Sequence, residues 1–194
     1  MKKLVLGLSA LAIMMFMSGC STMHMGWTAV TGQHKLDDGA MKAYDDMFSK
    51  VVKDGDPAKA MMMEFKVADD VSGDDVKESI TALTEEYNMR LTNYVKMFTK
   101  KDAKPTEVKE ARIFSLCSLP IAKTFLNHSR YFGGFMPCRI MYIQYGNGDA
   151  YLITMDLTLA IHGGYPLPPK MLKLATKVET AMTEITKRAA NGDF

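Results

Sequence analysis

The run over residues 111–161 constrains this chain more than any other. An apolar stretch at 112–116 reads as a strand that ends at Cys117. Pro120 suits the first turn of a helix, and Ile121, Ala122, Phe125 and Leu126 fall on one face of it. Gly133-Gly134 breaks that pattern, and a second strand is read over 138–145. Gly146-Asn147-Gly148 is a strong hairpin signal, after which a third strand is read over 150–159. The rest of the chain has to complete the core of this unit or tether it.

Upstream, Ala40, Tyr44, Met47, Phe48 and Val51 mark an amphipathic helix over 37–53, stopped by Asp54-Gly55-Asp56-Pro57. A strand follows at 61–67, with Met61, Met63, Phe65 and Val67 on one face. Its three consecutive methionines are expected to pack rather than to converge on one ion, because successive strand residues point to opposite faces. Ser72-Gly73-Asp74-Asp75 resembles a capping box, opening a helix through Val76, Ile80, Leu83 and Tyr87. A strand at 89–98 sets Met89, Leu91, Val95 and Met97 against Arg90, Thr92, Tyr94 and Lys96. Residues 100–105 form a polar connector and 162–169 a loop. The last helix buries Leu174, Val178, Met182, Ile185 and Ala189. After the leading helix the order is β-α-β-β-α-β-β-α. That order predicts a single compact α+β domain over 37–194, an antiparallel or mixed sheet with helices packed on it.

The first residues read differently. Lys2 and Lys3 precede an apolar run over 4–17, followed by Ser18-Gly19-Cys20. The run is too short, and basic only in front, which suits a secretory signal rather than a membrane span. Small residues before Cys20 resemble the lipobox of bacterial lipoproteins, in which the cysteine receives a diacylglycerol and becomes residue one. The expectation is a signal peptide over 1–19 and a palmitate-type anchor on Cys20, each buried methylene contributing about 0.8 kcal/mol. Residues 20–36 lack helical or alternating periodicity and are read as a lipidated tether. Ser21 after the cysteine favours, by the same resemblance, the periplasmic face of the outer membrane over the inner membrane.

Loss of Lys2 and Lys3 from 24 basic residues leaves 22, against 22 acidic ones. A formal balance of zero argues against nucleic acid as a partner. The same cut removes Met1, Met14, Met15 and Met17, so 14 of 18 methionines stay, a methionine-rich remainder.

Cys117 and Cys138 are the remaining cysteines. Three arrangements are open: a structural disulfide, which needs alpha carbons within about 7 Å, two separate thiols, or a redox or metal-binding pair. A reactive thiolate would need a lowered pKa, from the helix start at Pro120 or from Arg139. Met23-His24-Met25 suits Cu(I), and His162, in a Gly-rich loop, is a weaker metal candidate. His128, near a helix end, suits the helix dipole. The chain has no Cys-x-x-Cys, Cys-x-x-Cys-His, Gly-x-Ser-x-Gly, Walker or His-Glu-x-x-His motif. Its acids form no recognisable catalytic pair.

Three features carry a family pattern. Cys117-Ser118-Leu119-Pro120-Ile121-Ala122 is similar to a Cys-x-x-Pro-x-Ala segment, and Gly134-Phe135-Met136-Pro137-Cys138 to a Gly-apolar-apolar-Pro-Cys segment. An apolar strand ending near Met155-Asp156 follows the glycine hairpin. Together they resemble the bacterial and archaeal family called domain of unknown function 302, over about 59–190 in element order and 111–157 in motif detail. The resemblance implies a TATA-binding-protein-like sheet covered by helices, with no settled enzymatic activity. It also leaves open a homodimer formed through the sheet.

These readings converge on a lipid-anchored periplasmic binding or accessory protein. It would hold a small apolar ligand, a metal or an envelope protein partner. A thiol redox protein using Cys117 and Cys138, and a copper- or haem-handling protein, are the alternatives.

Overall fold

Two local devices start the architecture. At the capping box, the Ser72 hydroxyl accepts from the Asp75 amide at 3.2 Å while the Asp75 carboxylate accepts from the Ser72 amide at 2.8 Å. This satisfies two donors that a helix start leaves unpaired. At the hairpin, Gly148 has φ +98°, and a side chain on Gly146 would meet the Lys104 carbonyl oxygen at 2.2 Å. Both positions therefore need glycine.

The computed structural model describes residues 20–194. The leader read over 1–19 lies outside the described residues. Helix α1 (Cys20–Gly32) and a 3-10 turn (Gln33–Lys35) precede α2 (Ala40–Asp54) and the short α3 (Pro57–Ala60). Strand β1 (Met62–Lys66), α4 (Gly73–Glu86), β2 (Arg90–Thr99) and β3 (Val108–Cys117) follow. Then come α5 (Leu119–His128), a 3-10 segment (Arg130–Phe135), β4 (Cys138–Tyr145), β5 (Ala150–Met155), α6 (Thr158–His162) and α7 (Pro169–Ala190). The five strands form one antiparallel sheet in the order β1-β5-β4-β3-β2. This is the α+β architecture expected from the element order, with every pairing antiparallel.

Cross-strand partners share a face of the sheet, so the register sorts the side chains. Phe114 pairs with Ile140, Arg112 with Tyr142, and Tyr142 with Leu152. On this face α4 contributes Val76, Ile80 and Leu83, and α7 contributes Met182, Ile185 and Ala189, to one buried core. A smaller cluster joins Phe125 of α5, Ile161 of α6, and Met171 and Ala175 of α7 beside that core.

Several elements depart from the sequence reading. Residues 20–32 are helical where no helix was expected. Met23, Met25, Trp27 and Val30 are all exposed, so the helix buries no face and carries no periodic signal. The alternation read over 89–98 fails because β2 carries two bulges, between Leu91 and Asn93 and between Lys96 and Phe98. Each inserts a residue and flips the faces beyond it. Leu91, Tyr94 and Lys96 therefore share the helix-covered face, while Asn93, Val95 and Phe98 look the other way. The third strand of the central run ends at Met155 instead of 159, where the Asp156 carboxylate accepts from the Thr158 amide at 3.0 Å and turns the chain into α6.

Candidate functional site

The second face of the sheet is where the molecule is unusual. Met62 opposes Met155, Ile153 opposes Met141, and Ile113 also opposes Met141, which sets these five side chains on one side with Ile143. They belong to neither buried cluster and are only partly covered. Antiparallel sheets that face water on one side normally alternate apolar and polar residues. Here the middles of β4 and β5, residues 140–143 and 151–153, are apolar on both faces.

A cleft of about 290 Å³ lies on this face. Met62, Met141, Ile153 and Met155 line it, and Phe135 and Pro137 border it where the 3-10 segment meets β4. The Met136–Pro137 peptide there is cis. Arg139 stands in the lining, exposed, and joins none of the ion pairs among the described residues. Phe135, Met62 and Met155 also line a second cleft of about 360 Å³ against α2. A third, of about 80 Å³ and almost wholly apolar, sits between α5, α6 and α7 and shares Phe135 and Cys138 with the first. Phe135 thus borders all three.

The cysteines do not form a disulfide: both are free thiols. The register pairs Cys138 with Leu116 on the helix-covered face, so Cys117, one residue on, falls on the opposite face. Burial pushes both thiols up, and burial together with the nearby Cys117 takes Cys138 to about 11. Neither is tuned as a nucleophile, which needs a pKa shifted the other way. Pro120 lies in the first turn of α5 as expected, and Ala122 donates its amide to the Ser118 carbonyl at 2.8 Å. The lowering of a thiol that the sequence reading allowed, from the helix start at Pro120 or from Arg139, does not outweigh burial at either cysteine.

The remaining candidates are dispersed. Met23, His24 and Met25 are successive residues of exposed α1, which spreads them about 200° around the helix axis, away from a common ion. His162 ends α6, and its Nδ1 lies 2.9 Å from the Asp37 carboxylate. Asp37 also accepts from the Gly39 amide, and the two bonds hold its carboxyl below the usual range. With Tyr44 donating to the Gly163 carbonyl at 2.8 Å, this contact fastens α2 to α6. Asp156 lies 3.7 Å from Lys50 and lines the second cleft. Among the described residues no three of His, Cys, Asp and Glu gather as a metal site, and no helix is long and apolar enough to cross a membrane.

Sequence reasoning missed a charged network in the core. Arg112, 3% exposed, reaches the Gly73 carbonyl at 2.7 Å, the Asp74 carboxylate at 2.6 Å, Tyr94 and Glu110. Its guanidinium lies 5.7 Å from the Tyr142 ring. Burial opposes its charge, but the bonds to Asp74 and Glu110 outweigh burial and raise its pKa. Through Nε and Nη1, Arg112 secures α4 to the sheet.

The comparisons bear on this geometry. No curated protein matches the chain. A crystal structure of an uncharacterized conserved DUF302 protein from Bacillus stearothermophilus superposes with a TM-score of 0.51 at 14% identity, covering 66% of this chain and 98% of that one. The likeness is one of fold. The model of the family described as "Domain of unknown function DUF302" matches residues 63–189, which takes in all of the sheet except Met62. The chain belongs to the DUF302 family.

Proposed function

We propose that this protein is a non-catalytic binding module of the bacterial cell envelope. It is a lipoprotein held through acylated Cys20 at the periplasmic face of the outer membrane, and its open sheet face takes a small apolar ligand. The carrying observation is the cleft of about 290 Å³ floored by Met62, Met141, Ile153 and Met155, close to the lower end of the roughly 300–1,000 Å³ range of small-molecule sites. Unbranched methionines suit a wall that adapts to its guest. Arg139 suits a ligand with one anionic group at the mouth. The raised thiols of Cys117 and Cys138 weigh against the redox alternative.

A second reading has its own support. Val95, Met97 and Phe98 of β2 are 41%, 49% and 46% exposed, and Val95 and Phe98 extend the apolar face beyond the cleft. A second copy of the chain would cover all of it, giving a homodimer through the sheet. Native mass spectrometry of the chain from Ser21 to Phe194, purified from a periplasm, tests both. A monomer carrying a small organic adduct supports the ligand, and a bare dimer supports self-association. A bare monomer rejects both.

A further inference from the structure

Four methionines from separate parts of the fold line the second cleft: Met47 of α2, Met61 at the end of α3, Met62 of β1 and Met155 of β5. Met62 and Met155 are direct cross-strand partners, a relation that puts their side chains within reach of each other. Met61 escapes the alternation that should turn it away from Met62. It lies before the strand, with φ −100° and ψ 1°, as the residue that caps α3. Met63, by contrast, is on the helix-covered side, where the Thr183 hydroxyl contacts its sulfur.

From this arrangement we infer that the second cleft is a thioether site for a soft monovalent cation of the Cu(I) or Ag(I) class. Thioethers prefer soft ions, and three or four neutral sulfurs can replace the weak hydration of such a cation. Thioethers need no deprotonation, unlike thiolates and carboxylates. At the mouth Asp46 pairs with Lys42 and Asp156 with Lys50, so the two carboxylates are balanced by two ammoniums and the ion's affinity rests on the sulfurs. The cleft volume of about 360 Å³ leaves room for the side chains to close around an ion. Hard divalent cations, which need several oxygen ligands, find no such set here. The apolar-ligand cleft shares Met62 and Met155 but lacks Met47 and Met61, so the response of that second pair distinguishes this site from it.

The test is silver(I) nitrate added to the full chain with its methionine methyls labelled with carbon-13, followed residue by residue by NMR. Cys117 and Cys138 bind silver too, so the methyl signals, not total uptake, are the readout. Met47, Met61, Met62 and Met155 should shift together and saturate together, while Met182 in the core stays unmoved. Replacing Met62→Leu with Met155→Leu, which conserves volume, should weaken that response at least tenfold. The inference is overturned if silver moves only Met23 and Met25, moves no methyl, or shifts the remaining pair equally well in the leucine variant.

Discussion

Alternate residues of the same strands lead to opposite outcomes on the two faces of this sheet. On one face, Phe114, Ile140, Tyr142 and Leu152 are buried under α4 and α7. On the other, Ile113, Met141, Ile143 and Ile153 are as apolar but only half covered. Hydrophobicity alone therefore does not distinguish core from site. The difference comes from what the helices reach. Helices α4 and α7 pack on one side, and on the other the 3-10 segment around Phe135 borders the first cleft while α2 flanks the second. The covered face stabilises the fold, and the open face leaves the apolar area on which the proposed ligand would sit.

The sharpest break in this comparison is Arg112→Ala. It would leave buried Glu110 with only the half-exposed Lys96, 3.3 Å away, and losing one member of a buried pair costs about 3–5 kcal/mol. Urea unfolding should show a loss of that order, whereas Arg139→Ala on the open face should leave the midpoint nearly unchanged. Next comes a pair of neighbours on β5. Leu152→Ala removes a fully buried side chain and should cost about 2–5 kcal/mol. Ile153→Ala, one residue on, should cost under about 1 kcal/mol but weaken any ligand held in the cleft. Equal losses at the two positions would mean that the second face is covered in solution.

The smallest effect concerns the thiols. With Cys138 near 11 against an ordinary 9.0, its thiolate at pH 8 is about 100-fold scarcer than in an unshifted thiol. The shift favours the protonated form, so reactivity should climb about tenfold per pH unit up to pH 11. Iodoacetamide labelling of the folded protein, read by peptide mass, should mark Cys117 before Cys138 at pH 8. The reverse order would contradict the placement of Cys138 on the covered face.

The sequence made the regular parts plain and the irregular parts opaque, for physical reasons. Strand 138–145, the hairpin and the capping box are fixed by short-range chemistry, and they are where they were read. Strand β3 is read only from Arg112, although it starts at Val108, because the charges of Lys109 and Glu110 break the apolar pattern; Glu110 and Arg112 are in fact buried as a pair. The bulges of β2 depend on its partner strand, which no local pattern reports. The site was harder still, since its walls come from β1, β4, β5 and the 3-10 segment. One signal did point to it. The runs Ile140-Met141-Tyr142-Ile143 and Tyr151-Leu152-Ile153 are unbroken apolar stretches in strands that pack helices on one side only.

The position of β1 at the sheet edge also bears on when the cleft comes into being. Gln144 and Ala150 of the hairpin are 6 positions apart (150 less 144), whereas Met62 and Met155 are 93 apart (155 less 62). Loop closure grows as the logarithm of that distance, so docking β1 costs about 4 kcal/mol of chain entropy against about 1.6 for the hairpin. The strand that supplies Met62 is thus the costliest to recruit and is expected to join after the hairpins. A chain folding from its N-terminus must hold Met61-Met62-Met63 unpartnered until β5 has been made. On the proposed function, binding competence would arrive with the final strand, so ligand capture would report completed folding rather than collapse.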